Sequence, residues 1–167
     1  MQKIGIIGAM QIEVDLLQEQ LNACKITQRA GMDFYEGLLC DVQVVIVKSG
    51  AGKVNSAICA QILADLFGVT HIINTGVAGS LDASVDYCDV VISTEVCYHD
   101  MHNEAMGYKP GEQPRPGWLL YTADARMIDC AWQACAKVLS DIKCPPTIHK
   151  GRIVTGDWFI NLSLIHI

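Results

Sequence analysis

Basic residues are scarce, with 12 Lys and Arg against 18 Asp and Glu and a formal charge of −6. That balance argues against nucleic acid or an anionic membrane as the main partner, because both reward Lys and Arg, and no basic stripe interrupts it. No apolar run approaches the length of a membrane span, and the first residues lack the charged region, apolar stretch and cleavage site of a secretory signal. Cysteine itself is plentiful, but paired spacing is missing. Cys24, Cys40, Cys59, Cys88, Cys97, Cys130, Cys135 and Cys144 are scattered, mostly in apolar runs, without a CxxC pair. A disulfide scaffold is therefore not expected; reduced, buried thiols in a cytoplasmic chain are. Internal repeats, low-complexity tracts and linkers are also lacking.

The 167 residues suit one domain with one substantial core. A hydrophobic share of 51% against 18% charged is slightly apolar for a soluble monomer. It leans toward an oligomer interface or a fold whose covering layer is missing.

Lys3 to Gly8 is a short apolar run closed by glycine, which predicts a buried parallel strand. Val14, Leu17 and Leu21 then fall at helical spacing, so a helix is expected over Ile12 to Leu21. Asp33 to Leu39 and Val42 to Lys48 predict two strands joined by a hairpin turn at Asp41. Lys53 to Phe67, rich in alanine and leucine, predicts a helix, and His71 to Asn74 a strand. Asp89 to Val96 predicts a further strand, Ala123 to Leu139 a helix and Lys150 to Thr155 the last strand. Between them, Tyr98 to Pro116 is polar and rich in Gly and Pro, a loop long enough to suggest function or disorder. Strands alternating with helices imply an α/β domain with a largely parallel or mixed sheet. The glycine turns after residues 7, 48 and 74 should then meet where the strands end, which is where such sheets bind ligands.

The usual nucleotide motifs do not fit these turns. Ser49-Gly50-Ala51-Gly52-Lys53 invites a P-loop reading, but Val47 stands at the required first glycine and Val54 where Ser or Thr would hold magnesium. A dinucleotide fingerprint lacks its third glycine, with Asn55 in that place. His99-Asp100-x-His102 sits in a polar loop without a second ligand pair at helical spacing, so no metal is expected. No cofactor is expected either.

Five ordered segments together are more specific. Lys3-Ile4-Gly5-Ile6-Ile7-Gly8-Ala9-Met10, followed by Glu13-Val14, resembles the opening of 5′-methylthioadenosine/S-adenosylhomocysteine nucleosidases. Lys48-Ser49-Gly50-Ala51-Gly52-Lys53-Val54 and Ile72-Ile73-Asn74-Thr75-Gly76-Val77-Ala78-Gly79 resemble their second and third signatures. Tyr98-His99-Asp100 with Gly107-Tyr108 resembles the fourth, and Thr155-Gly156-Asp157-Trp158-Phe159-Ile160-Asn161 the fifth. The resemblance runs from residue 3 to residue 161 and is shared more loosely with purine nucleoside phosphorylases. It implies a three-layer nucleoside phosphorylase-like fold, a central mixed sheet flanked by helices and missing its C-terminal part, over residues 1–161.

Cleaving an N-ribosidic bond passes through an oxocarbenium-like sugar. A carboxylate must activate water, an acid must protonate the purine, and the ribose must be held. The resemblance implies that Glu13 is the water-activating carboxylate; taken alone, it is an acid of the kind favoured at helix N-termini. Phe159 would stack on adenine while the Ile160 backbone bonds its edge, although locally both also suit a core. Ala9, Met10, Ala51, Val77, Ala78 and Gly79 would line the nucleoside pocket, with Met10 and Ala51 suiting the apolar alkylthio group. Met106 and Tyr108 would reach the pocket of a second copy, making the 98–116 loop the arm of a homodimer.

Departures from the common pattern are Val77 for a serine, Ser80 for a second glycine, Met106 for an aromatic, and His102-Asn103-Glu104 for more apolar residues. They bear on the thioalkyl pocket more than on the reaction. After Asn161 the family's ribose-gripping stretch and purine-protonating aspartate do not follow. Leu162-Ser163-Leu164-Ile165-His166-Ile167 matches the translation of a sequencing-library adapter, so residues 162–167 are expected to be a non-native tail. The polypeptide as written is accordingly expected to be inactive and poorly soluble. Two alternatives stay open: a phosphorylase using phosphate, for which Arg29, Arg115, Arg126 and Arg152 lie outside the first three glycine turns, and a non-catalytic nucleotide-binding module.

Overall fold

The computed structural model describes residues 2–114 and 117–158, and the chain divides into two units, Met1–Val77 and Ala78–Ile167. The first unit is built on a five-stranded sheet of order β2-β3-β4-β1-β5. Its strands are β1 (Ile4–Gly8), β2 (Asn22–Arg29), β3 (Met32–Leu39), β4 (Val42–Lys48) and β5 (His71–Asn74). β1 runs parallel to both β4 and β5, while β2, β3 and β4 form an antiparallel meander. The sheet is therefore mixed.

β4 explains why the sheet is covered twice. Its side chains alternate between faces, and both sets are apolar. Val45 and Val47 join Ile7, Met32 and Phe34 in a cluster closed by Cys59, Leu63 and Phe67; the first two of these lie on α2 (Lys53–Asp65) and Phe67 just beyond it. Val44 and Ile46 join Ile6 and Val14 on the other face, with Leu17 of α1 (Asp15–Glu19) and Leu21 packed against them. Phe34 stacks on Phe67 with centroids 5.0 Å apart. Gly5 lets α2 settle close, since a Cβ there would lie 2.9 Å from Leu63 Cδ1.

One expectation needs correction in this unit, and one strand was not anticipated. The helix over Ile12 to Leu21 is in fact a 3-10 turn, Gln11–Glu13, followed by the short α1, with Val14 at φ −119° between them. Glu13 caps that turn by accepting the Met10 N–H, and the break comes after it, at Val14. β2 lacks a strand signature because it is an edge strand with seven of its eight residues exposed, and a bulge between Asn22 and Lys25 breaks its alternation.

In the second unit, β6 (Val90–Tyr98) lies between β7 (Tyr121–Thr122), antiparallel, and β8 (Ile148–Thr155), parallel. The parallel pairing needs a crossover, supplied by α3 (Ala125–Leu139). α3 starts where the Asp124 side chain accepts the Met127 N–H at 3.0 Å. At the other end of the pairing, Asp89 ties the entry of β8. Its carboxylate accepts the N–H groups of Asp86 and Thr147 at 2.9 and 2.7 Å and pairs with His149 Nε2 at 2.9 Å. Among the described residues of the 98–116 stretch, the only helix is a 3-10 turn, Glu104–Met106, ended by Gly107 at φ 86°.

The thiols are free, as expected, but their expected burial is wrong for most. Only Cys59 is buried; Cys97 and Cys135 are half-buried and the other five exposed. Cys24 sits on the edge strand, while Cys40 and Cys88 occupy turns at φ 48° and 71°. Burial pushes the Cys59 thiol up to about 11. No helix among the described residues is long and apolar enough to cross a membrane.

Candidate active site

The register of the first sheet brings the three glycine turns together, as expected. Gly8 pairs with Lys48 and Ile7 with Asn74, so β1, β4 and β5 end side by side. The turns that follow are tied across: Ser49 N–H donates to Gly8 O and Thr75 N–H to Ile7 O, each at 2.9 Å. Ser49 is the one buried polar residue among the described residues, and its hydroxyl donates to Gly50 O at 2.8 Å.

Glu13 enters this edge from the 3-10 turn. Its Oε2 accepts the N–H groups of Ala9 at 2.8 Å and Met10 at 2.9 Å, and its Oε1 accepts that of Val77 at 3.0 Å. All three donors are main-chain amides. They come from the ends of two strands, β1 and β5, so the carboxylate staples one turn to the other. Two glycines make room for it. A Cβ at Gly76 would lie 2.5 Å from Glu13 Oε1 and 2.8 Å from its Cδ, and one at Gly8 would lie 3.1 Å from Glu13 Cβ and 2.7 Å from Val14 Cγ1.

An ionised carboxylate offers roughly four acceptor positions. Among the described residues three donors are supplied, which leaves one position, on Oε1 beside Val77. Glu13 is half-buried, whereas Met10 is 44% and Val77 80% exposed. The arrangement is that of a fixed carboxylate with a single open lobe, suited to hold one water and take its proton.

Of the residues expected to line a nucleoside site, Ala9, Met10, Glu13 and Val77 share this hydrogen-bonded cluster, and the exposed Ala51 lies in the adjoining turn. Ala78 and Gly79 are exposed at the start of the second unit. There, Met106 is 63% exposed and Tyr108 half-buried. Phe159 and Ile160 lie outside the described residues, as does the 162–167 tail. Gly76 and Ser49 stand within the matching segments but were given no site role; a glycine just past a strand end, between Thr75 and Val77, is the signal for the first.

The His99-Asp100-x-His102 cluster has other partners. His102 Nδ1 pairs with Glu104 at 3.1 Å, both side chains being exposed, and Asp100 accepts the Asp157 N–H. No group of three potential ligands that could hold a metal occurs among the described residues. Arg152 is paired to Glu95 at 2.6 Å.

Residues 3–162 match the family model of the phosphorylase superfamily. A 5′-methylthioadenosine/S-adenosylhomocysteine nucleosidase from an Exiguobacterium species is 45% identical over 163 residues, covering 96% of this chain and 66% of its own length. The crystal structure of such a nucleosidase from Colwellia psychrerythraea, in complex with adenine, aligns with a TM-score of 0.89 at 38% identity over 99% of this chain and 66% of that one. The Neisseria meningitidis enzyme with methylthio-immucillin-A aligns at 0.90 and 31% identity, covering 99% of this chain and 70% of that one. The chain thus spans about two thirds of the length of these relatives. With an α/β architecture on a mixed sheet, this coverage and these identities, the chain belongs to the phosphorylase superfamily, within its family of 5′-methylthioadenosine/S-adenosylhomocysteine nucleosidases.

Proposed function

We propose that this chain carries the water-activating part of an N-ribosidic hydrolase that releases adenine from 5′-methylthioadenosine and S-adenosylhomocysteine, leaving the thioribose product. The observation that carries the reading is the Glu13 carboxylate, held by three backbone amides at the strand ends with one acceptor lobe open. Water bound at that lobe attacks the anomeric carbon of the ribose as the bond to the purine nitrogen breaks. Its proton passes to Glu13, and the bonding electrons leave with the purine, which an acid protonates. Residues 1–161 form part of a nucleoside phosphorylase/hydrolase-like domain in this reading. Ala9, Met10, Ala51, Val77, Ala78 and Gly79 line the ribose and alkylthio side, and Phe159 and Ile160 receive the adenine.

Two copies pair through the 98–116 loop, each lending Met106 and Tyr108 to the other's pocket. The exposure of Met106 is consistent with such an arm. Eight free thiols suit a reducing compartment, and the protein acts in the cytoplasm. Neither nucleic acid nor membrane is a partner.

The test is adenine release, with and without phosphate, by protein expressed from its complete native gene. Release without phosphate is expected, and Glu13→Gln should lower kcat about 10²–10⁴-fold with little change in nucleoside affinity. Strict dependence on phosphate would instead make the protein a phosphorylase. Unchanged turnover in Glu13→Gln would remove the carboxylate from the chemistry.

A further inference from the structure

Ser49, the first residue after β4, keeps a hydroxyl in a place that is otherwise apolar. It is 5% exposed, and the other buried residues among those described are hydrophobic residues and glycines. A hydroxyl taken out of water is costly unless it is bonded, and here the bonding runs toward the glycine turns. The Ser49 N–H to Gly8 O bond is the last rung of the β1–β4 ladder, which any residue but proline would supply. The hydroxyl adds what the ladder does not. Its Oγ donates to Gly50 O at 2.8 Å, closing a turn in which Gly50 stands at φ 81°, and lies 3.4 Å from Gly8 O.

Gly8 O belongs to the same peptide group as the Ala9 N–H, which donates to Glu13 Oε2 at 2.8 Å. A peptide group is planar, so whatever fixes its carbonyl also aims its N–H. Ser49 therefore stands one peptide plane away from the carboxylate. Donation to a carbonyl also polarises the group and strengthens the bond its N–H makes. We infer that Ser49 is a positioning residue for the reaction, its hydroxyl holding the turn and the Gly8–Ala9 peptide at the angle that meets Glu13. The inference rests on the reading of Glu13 as the water-activating carboxylate. Without the hydroxyl the Ala9 anchor loosens while the Met10 and Val77 amides remain, so the carboxylate keeps its place but is aimed less sharply. The loss then falls on turnover rather than on nucleoside affinity.

Adenine release from 5′-methylthioadenosine would be followed for wild type, Ser49→Ala, Glu13→Gln and the double variant, each expressed from the complete native gene. Ser49→Ala is expected to lower kcat roughly tenfold, the scale of one lost hydrogen bond, with KM unchanged. In the Glu13→Gln background the same substitution should change kcat by no more than about twofold, because the group it positions is gone. An equal loss in both backgrounds, a rise in KM at constant kcat, or unaltered kinetics in Ser49→Ala overturns the inference. Should Ser49→Ala fail to fold, Ser49→Cys, similar in shape but a weak donor, serves under the same outcomes. Glu13→Gln that turns over like wild type defeats the functional reading itself, and is told apart because it fails before Ser49 is changed.

Discussion

Glu13 is held through the backbone, and that makes a neighbour with no side chain decisive. At Gly76 an added methyl group would lie 2.5 Å from Glu13 Oε1. Either the carboxylate turns away and loses the Val77 amide, or the β5 turn shifts. Gly76→Ala is therefore expected to lower adenine release about 10²-fold, the penalty typical of an ångström-scale misplacement of a reacting group. Steady-state kinetics beside a thermal melt would check it; normal turnover in a folded variant would mean that the cradle does not govern the reaction. The residue itself was legible in the sequence only through the family resemblance, since taken alone it is an acid of the kind favoured at helix N-termini. Its partners were not, because main-chain amides leave no mark in the identity of Ala9, Met10 or Val77.

Among the elements, those with a buried apolar signature were readable in advance. β1 and β4 carry the runs Ile6-Ile7 and Val44-Val45-Ile46-Val47, and α2 places Cys59 and Leu63 one turn apart on the sheet. Elements without such a signature were missed. β2 is polar and lies at an edge, β7 is two residues long, and the helix expected from Val14, Leu17 and Leu21 is broken at Val14, between the 3-10 turn capped by Glu13 and the short α1. α3 is amphipathic with no fully buried residue, so its start leans on its cap. Asp124→Ala removes the acceptor for Met127 N–H and should cost about 1 kcal/mol of stability. Chemical denaturation would read it, and an unchanged midpoint would show that α3 is set by packing alone.

For the molecule as a whole, acid sensitivity is concentrated in the second unit. Backbone N–H groups hold three carboxyls there below their ordinary values. Asp82 is held by the Ser84 N–H and hydroxyl, Asp89 by the Asp86 N–H, then His149 and Thr147, and Glu104 by its own N–H and then His102. Groups with depressed folded-state values stabilise fully above the ordinary range of 3.8–4.5 and lose that contribution as the pH falls through it and below. Trp118, Trp132 and Trp158 all belong to this unit, so tryptophan emission reports it selectively. Emission should change as the pH drops from 5 toward 2, and Asp89→Asn should move the change to higher pH. A profile identical in the variant would rule out Asp89 as a contributor. The Glu13 cradle has a different consequence at this scale. Every amino acid except proline carries the amide that positions 9, 10 and 77 supply. On the proposed reading, selection can therefore rewrite those three side chains to suit another 5′ substituent without dislodging the carboxylate that would activate water. Preference for one thionucleoside over another would then be free to drift, while the glycine at 76 would not.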